Sequence, residues 1–464
     1  MIPTFGTDGV RGLAFEELDE VVAHAIGRAA NQALGAGAAP ARWVVGRDTR
    51  ASGPALAGAL IAGFRAMGAE VVDLGVVPTP VVAFGAGFEG SAGAMVSASH
   101  NPWTDNGVKL FAPGGTKLDD DAQSAVTHHL DRVGLTHGDR PSASDVARRS
   151  SLASAAVGAA PTGETARVLA AYEMSLSEAI DGRTLDGLRL VVDGANGASA
   201  SLAPAVLRRL GAQVTALFCE PSGRNINDGC GSVNPAALQA AVTEQRADLG
   251  LAFDGDGDRL IAVGSDGRLI DGDRQMVLFA LDMAERGLLE GNTLVVTVMS
   301  NLGLRRAMAS AGIEVIETAV GDRAVLEALD TGGYSLGGEQ SGHVVFRHEA
   351  TTGDGLRSAV HLADLVIRRG MTGSPVRTSS DLGGAAMQSA PQVLRNVPAS
   401  AGSLSDETRR SVDEIAAQAG PDVRVLVRPS GTEPAIRVMV EAPTESEAAE
   451  IADRLVQLVR ATSF

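Results

Sequence analysis

Three stretches of the chain repeat one pattern of apolar and polar positions. Val44-Val45 leads through an Ala/Leu-rich segment to Gly68-Ala69-Glu70-Val71, Val191-Val192 to Gly211-Ala212-Gln213-Val214, and Val295-Val296 to Gly312-Ile313-Glu314-Val315. Each begins with an apolar β-branched run, continues into a helical segment that stops at glycine, a common helix terminator, and ends in a second strand. Such self-similarity predicts three related α/β units.

Beyond each unit another apolar strand runs into a polar loop. Ala94-Met95-Val96 leads into Ser97-Ala98-Ser99-His100-Asn101-Pro102, and Leu249-Gly250-Leu251-Ala252-Phe253 into Asp254-Gly255-Asp256-Gly257-Asp258-Arg259. The third strand, Tyr334-Ser335-Leu336, runs into Gly337-Gly338-Glu339-Gln340-Ser341-Gly342-His343. Ligands of open α/β sheets gather beyond the carboxyl ends of strands, so each unit can aim one loop at a shared cleft. The last part departs from the pattern. A helix near 406–419, a strand at 423–427, the loop 428–434, a strand at 435–441 and a terminal helix from about 444 form an α+β unit with a fourth loop. Polar stretches of low periodicity near 134–163 and 370–383 read as connections, the latter with hinge glycines. The expected domains are 1–155, 156–268, 269–372 and 373–464.

Composition narrows the class. A chain of 464 residues exceeds one ordinary core, and 45% hydrophobic with 20% charged residues is globular. The first residues lack the basic start and apolar run of a signal peptide, and no run is long enough to span a membrane, so the cytoplasm is the expected compartment. Cys219 and Cys230 suggest neither a disulfide framework nor a zinc site. A net charge of −17 argues against nucleic acid or an anionic membrane as a general partner, so a phosphate ligand must be met by local positive groups. Of 39 basic residues only Lys109 and Lys117 are lysine. Arginine cannot shed its proton, so a lysine in this chain marks a place for proton transfer; for Lys117 survival of a compositional drift is the preferred reading.

The triplet Asp254, Asp256, Asp258 puts three carboxylates on alternate residues, with glycines between them that let the backbone curl. Such concentrated charge calls for a hard divalent cation, magnesium or calcium rather than zinc. A calcium EF-hand is excluded because its sixth and twelfth loop positions would be Arg259 and Ser265. Ser99 beside His100 offers a nucleophile, but neighbouring side chains in an extended loop point apart. The chain is expected to lack a Gly-x-Ser-x-Gly elbow, so hydrolase chemistry is not expected, and taken alone the loop reads more readily as a turn built on asparagine and proline than as a catalytic site. Arg428-Pro429-Ser430-Gly431-Thr432 with Arg437 reads as a phosphate cradle or, equally well alone, a turn between strands. Glu339 and His343 could hydrogen-bond sugar hydroxyls or form a lone metal pair, a weak metal signal, and a satisfied structural histidine is an equally good reading in isolation.

Taken together the loops resemble those of the α-D-phosphohexomutase family, in order and over essentially the whole chain. The resemblance implies three related α/β mixed-sheet domains plus a C-terminal α+β domain around a central cleft. It implies an isomerase that moves a phosphoryl group between the 6- and 1-positions of an aldohexose through a hexose 1,6-bisphosphate. Ser99 would be phosphorylated, and Mg²⁺ held by its phosphate with Asp254, Asp256 and Asp258. Glu339, Ser341 and His343 would read the sugar; Arg428, Ser430, Gly431, Thr432 and Arg437 would hold the phosphate that is not reacting. Arg11, Lys109 and Arg259 would flank the transferred group, with Lys109 handling the hydroxyl proton and His343 the second choice. Phe5–Gly12, Gly337–His343 and Thr351–Gly355 point to members that act on glucosamine phosphates. Members acting on glucose or mannose phosphates, a metal-dependent phosphatase and a non-catalytic binding protein stay open. So does the oligomeric state, a homodimer included.

Overall fold

The computed structural model describes residues 9–34, 41–132, 163–371, 387–398, 404–429 and 435–462. The chain divides into two compact units, Met1–Val298 with Glu314–Gly384, and Met299–Ile313 with Ala385–Phe464. No helix among the described residues is long and apolar enough to cross a membrane.

The first unit contains three sheets on one plan. The first comprises β1 (Val10–Leu13), β2 (Arg42–Arg47), β3 (Glu70–Val76), β4 (Ala92–Val96) and β5 (Asp105–Phe111), in the order β1-β5-β4-β2-β3. β2 pairs in parallel with β3 and β4, and β5 returns antiparallel to β4. The second sheet, β6 (Arg189–Asp193), β7 (Gln213–Leu217), β8 (Leu249–Phe253), β9 (Leu260–Gly264) and β10 (Leu269–Ile270), repeats this: β6 lies between β7 and β8, and β9 returns antiparallel. The third has β11 (Thr293–Thr297) between β12 (Glu314–Thr318) and β13 (Leu336–Gly338), with β14 (Val344–Phe346) antiparallel to β13.

The β-branched runs explain the plan. β4, β8 and β11 are buried along their whole length, as parallel strands covered by helices on both faces must be. In the first sheet Trp43 stacks on Phe64 at 4.0 Å between ring centroids, and its indole N–H donates to Asn31 Oδ1 at 2.9 Å. The sequence pattern located the central strands but not β1 and β5, and it ended the third-sheet strand at Leu336. The strand instead runs to Gly338. A Cβ at Gly338 would stand 2.4 Å from His343 O, so this glycine permits close strand approach and does not mark a loop.

In the second unit, β15 (Gln392–Pro398) and β16 (Arg424–Pro429) flank β17 (Ala435–Glu441), all antiparallel, with helices Asp406–Ala419 and Glu445–Thr462. Ser405 caps the first of these, accepting from Thr408 N. Buried Glu441 accepts from Asn301, Leu302 N, Gln392 and Arg424, tying helix Leu302–Ser310 to this sheet.

Candidate active site

Each sheet of the first unit has a loop in the same place, between the third strand and its antiparallel partner. After β4 it carries Ser99, after β8 the aspartates, and after β13 Glu339 to His343. Common topology therefore brings the chemistry to one end of each sheet.

The Ser99 loop is held from far away in sequence. Arg50, fully buried, pairs through Nε with Asp48 at 2.8 Å and donates through Nη2 to the carbonyls of Ser99 and Asn101, each at 2.9 Å. It also donates to the carbonyls of Pro102 and Asp105, and Asn227 Nδ2 donates to the same Ser99 carbonyl at 2.9 Å. Under these restraints Ser99 takes φ +53°, a left-handed conformation that a serine holds only when its surroundings impose it. The two nearby serines are thereby separated: Ser97 Oγ donates to Asp48 at 2.7 Å and accepts from Ser99 N, whereas Ser99 Oγ donates to Asp254 Oδ2 at 2.6 Å.

The left-handed turn also corrects one expectation. Ser99 Oγ and His100 Nδ1 do not point apart but lie 3.4 Å from each other. Burial, then the charges of Arg259 and Arg11, lower the His100 pKa to about 4, and its Nδ1 faces Arg259 Nη1 at 3.1 Å. The imidazole is thus neutral and placed to accept from a guanidinium. A second expectation is also corrected, because the Gly-x-Ser-x-Gly spacing does occur, at Gly333-Tyr334-Ser335-Leu336-Gly337; its Ser335 hydroxyl donates to Leu288 O and accepts from Glu290 N and is thereby occupied.

Asp254, Asp256 and Asp258 are buried, and each turns one oxygen into a space where all lie within 4.8 Å of one another. Gly255 is what lets the turn pass under the serine loop, since a Cβ there would stand 2.5 Å from Ser99 O. Lys109 Nζ on β5 pairs with Asp256 at 2.7 Å and Asp258 at 3.1 Å, while Thr79 Oγ1 donates to Asp256 at 2.6 Å. Burial and the charges of Asp258 and Asp256 push Asp254 well above the usual carboxylate range. Burial acts the same way on Asp256 and Asp258, but Lys109 together with the Thr79 hydrogen bond at Asp256, and Lys109 together with His343 and Arg259 at Asp258, outweigh it and hold both low. Asp256 Oδ1 and Asp258 Oδ1 are buried without a hydrogen-bond partner. Unsatisfied carboxylate oxygens, an oxygen-only donor set and one carboxyl that burial and the charges of the other two push up fit a hard divalent cation.

The third loop is knitted to the second sheet: Leu260 N donates to Gly342 O at 3.1 Å. Glu339 accepts from Gly321 N at 3.1 Å and from Ser341 Oγ at 3.4 Å, and its charge acts on Arg259. His343 is buried, with Nδ1 3.8 Å from Asp258 Oδ1. Burial would lower its pKa, but Asp258, followed by Asp322, raises it. Arg11 on β1 lies opposite Gly107 of β5 and contributes to the positive field at His100. The structure thus brings together Arg11, Ser99, Lys109, Arg259, Glu339, Ser341, His343 and the three aspartates.

In the second unit Arg428 and Arg437 stand directly opposite across β16 and β17. Burial and then the charge of Arg437 lower the Arg428 pKa, the signature of like charges held together where an anion would relieve them. Ser430, Gly431 and Thr432 lie outside the described residues. Residues the sequence pattern did not single out are Asp48, Arg50, Thr79 and Asn227. Asp48 and Arg50 come after β2 just as the Ser99 loop comes after β4, so the carboxyl-end rule was available to find them.

An oxygen-only cation site facing a serine hydroxyl, ringed by guanidinium and ammonium groups, defines a metal-dependent enzyme for an anionic ligand. Residues 3–136, 170–267 and 271–380 match alpha/beta/alpha domains I, II and III of phosphoglucomutase/phosphomannomutase, and residues 384–458 match its C-terminal domain. The chain belongs to the phosphoglucomutase/phosphomannomutase family. It is 47% identical over 466 residues to the phosphoglucosamine mutase of Mycolicibacterium paratuberculosis, covering 98% of this chain and 99% of that one. The phosphoglucosamine mutase of Thermobifida fusca is likewise 47% identical, over 99% of this chain and 98% of its own. Among solved structures, a phosphoglucomutase/phosphomannomutase family protein from Burkholderia thailandensis superposes with a TM-score of 0.77 at 28% identity, covering 100% of this chain and 98% of that one.

Proposed function

We propose that the chain is an isomerase interconverting glucosamine 6-phosphate and glucosamine 1-phosphate through phosphorylated Ser99. The observation that carries this reading is the Ser99 hydroxyl, which donates at 2.6 Å into a buried carboxylate triad. The mutases that match the whole chain at 47% identity supply the substrate class. Asp254, Asp256 and Asp258 would hold Mg²⁺ with an oxygen of the Ser99 phosphate, and when bound the cation supplies charge neutralisation on the transferring group.

The chain's own residues position and neutralise. Phospho-Ser99 donates to O1 of glucosamine 6-phosphate: the bond from Ser99 Oγ to phosphorus breaks as that from O1 forms, and the O1 proton passes to Lys109, which acts after its ammonium has shed a proton, and on to the leaving Ser99 oxygen, which ends as a hydroxyl. Arg11 and Arg259 stabilise charge on the transferring oxygens. The 1,6-bisphosphate turns round, its 6-phosphoryl group returns to Ser99, and the proton goes to O6, leaving glucosamine 1-phosphate. Glu339, Ser341 and His343 hold the sugar. Arg428 and Arg437, with Ser430, Gly431 and Thr432, take the phosphate that is not reacting, and a hexose 1,6-bisphosphate recharges enzyme that has lost its phosphoryl group.

Ser99→Ala is expected to lose about 10³-fold or more in turnover with its melting temperature kept. A Ser99→Ala enzyme that turns over normally contradicts the reading. Lys109→Arg, which keeps the charge but cannot take a proton, is expected to lose about 10²-fold or more in kcat; full activity would remove Lys109 from proton transfer.

A further inference from the structure

Lys117 is the second of the chain's two lysines, and composition gave it no task. It lies on the hairpin after β5, bridged to Phe111, and its ammonium donates to Asp322 Oδ2 in the third-sheet domain. The two side chains are only 14% and 10% exposed. Asp322 opens helix Asp322–Gly332, where the helix dipole favours a negative charge, and its Oδ2 lies 3.6 Å from His343 Nε2. Gly353 N donates to the same Nε2 at 3.1 Å, and the opposite side of the ring faces Asp258. One line of contacts therefore runs from Lys117 through Asp322 and His343 to the aspartate triad.

Stability does not account for an enclosed pair of this kind. Desolvation offsets most of its attraction, and an apolar pair of similar volume would hold the same surfaces as well. The hairpin is in any case joined to the third-sheet domain by Thr351 Oγ1 donating to Gly115 O at 2.6 Å, and the helix that follows it, Asp120–Arg132, by Arg323 pairing with Asp120 at 2.6 Å. What distinguishes Lys117 is its reach. Without its charge Asp322 would keep only the helix N-terminus and the His343 ring, which at 3.6 Å and with Nε2 already accepting from Gly353 N is an electrostatic neighbour and not a hydrogen-bond partner, and its carboxylate would turn toward water.

We propose that Lys117 is a positioning residue for the phosphoryl transfer, fixing Asp322 and through it the place of the His343 imidazole beside the sugar loop and Asp258. This rests on the mutase reading above. Outer partners of this kind typically change activity by about 10–100-fold, so Lys117→Met is expected to lower kcat by about that factor with KM changed less than about 3-fold. Lys117→Arg restores the charge and is expected to recover kcat to within about 3-fold, and Asp322→Asn, nearly isosteric, to match Lys117→Met and to carry the test should that variant not fold.

The experiment measures kcat, KM and melting temperature for the full-length, Ser99-phosphorylated, Mg²⁺-loaded parent and the three variants with glucosamine, glucose and mannose 6-phosphates. The melting temperature of Lys117→Met is expected to fall, because Asp322 loses its partner, so kcat is read where every variant remains folded; a fall in kcat under those conditions, recovered by Lys117→Arg, supports the proposal. A Lys117→Met or Asp322→Asn enzyme whose kcat stays near that of an active parent, whatever happens to its melting temperature, overturns the proposal and leaves the mutase reading standing. A parent that makes no 1-phosphate from any of the three overturns both.

Discussion

Ser99 owes its conformation to residues far off in the chain. The φ of +53° is imposed where Arg50 and Asn227 grip the same carbonyl, and Asp48 occupies the Ser97 hydroxyl that would otherwise compete. Arg50→Ala would strand Asp48 in a fully buried site and release four loop carbonyls. Breaking such a pair from one side costs about 3–5 kcal/mol, and the serine should lose its aim as well. Urea unfolding and turnover of Arg50→Ala check this: both are expected to fall, and a variant with parental stability and kcat contradicts the role given to Arg50. None of this was legible locally. The serine loop and the aspartates could be picked out by residue type and spacing, but the choice between Ser97 and Ser99 came only from family resemblance, because the deciding contact is made by a residue 49 positions earlier.

At the scale of elements, the three strand-helix-strand units were legible because buried parallel strands must be apolar along their length and helices must stop before the chain turns back. The common position of the three loops is a consequence of that plan. The antiparallel return strands were harder to read. β5 carries Asp105, Asn106 and Lys109 among its apolar residues because its far end faces the site. In the third sheet Gly337 and Gly338 read as loop punctuation, yet they are strand residues chosen for closeness to β14. A methyl at Gly338 would press on the His343 carbonyl at 2.4 Å, so Gly338→Ala is expected to destabilise by about 1–3 kcal/mol, as overpacking of a closed interior does. Chemical denaturation measures this directly, and an unchanged midpoint would mean that the strand can give way there.

For the whole molecule, a chain of net charge −17 still places Lys109, Arg259 and Arg11 about its cation site, which gives an anion local positive partners. Two of the three carboxylates keep an oxygen without a hydrogen-bond partner, so a cation that fills the site should stabilise the fold by mass action. At a free Mg²⁺ concentration of 100 times Kd the gain should be about 2.7 kcal/mol, seen as a rise in melting temperature that EDTA reverses and Asp256→Asn largely removes. Equal melting curves with and without Mg²⁺ would contradict the site. The central claim, a phosphoserine mutase acting on glucosamine phosphates, is tested most directly by kcat/KM for glucosamine, glucose and mannose 6-phosphates, with purified Ser99-phosphorylated enzyme, Mg²⁺ and a trace of hexose 1,6-bisphosphate. A clear preference for glucosamine 6-phosphate with glucosamine 1-phosphate as product is expected; release of inorganic phosphate without any 1-phosphate would contradict the account.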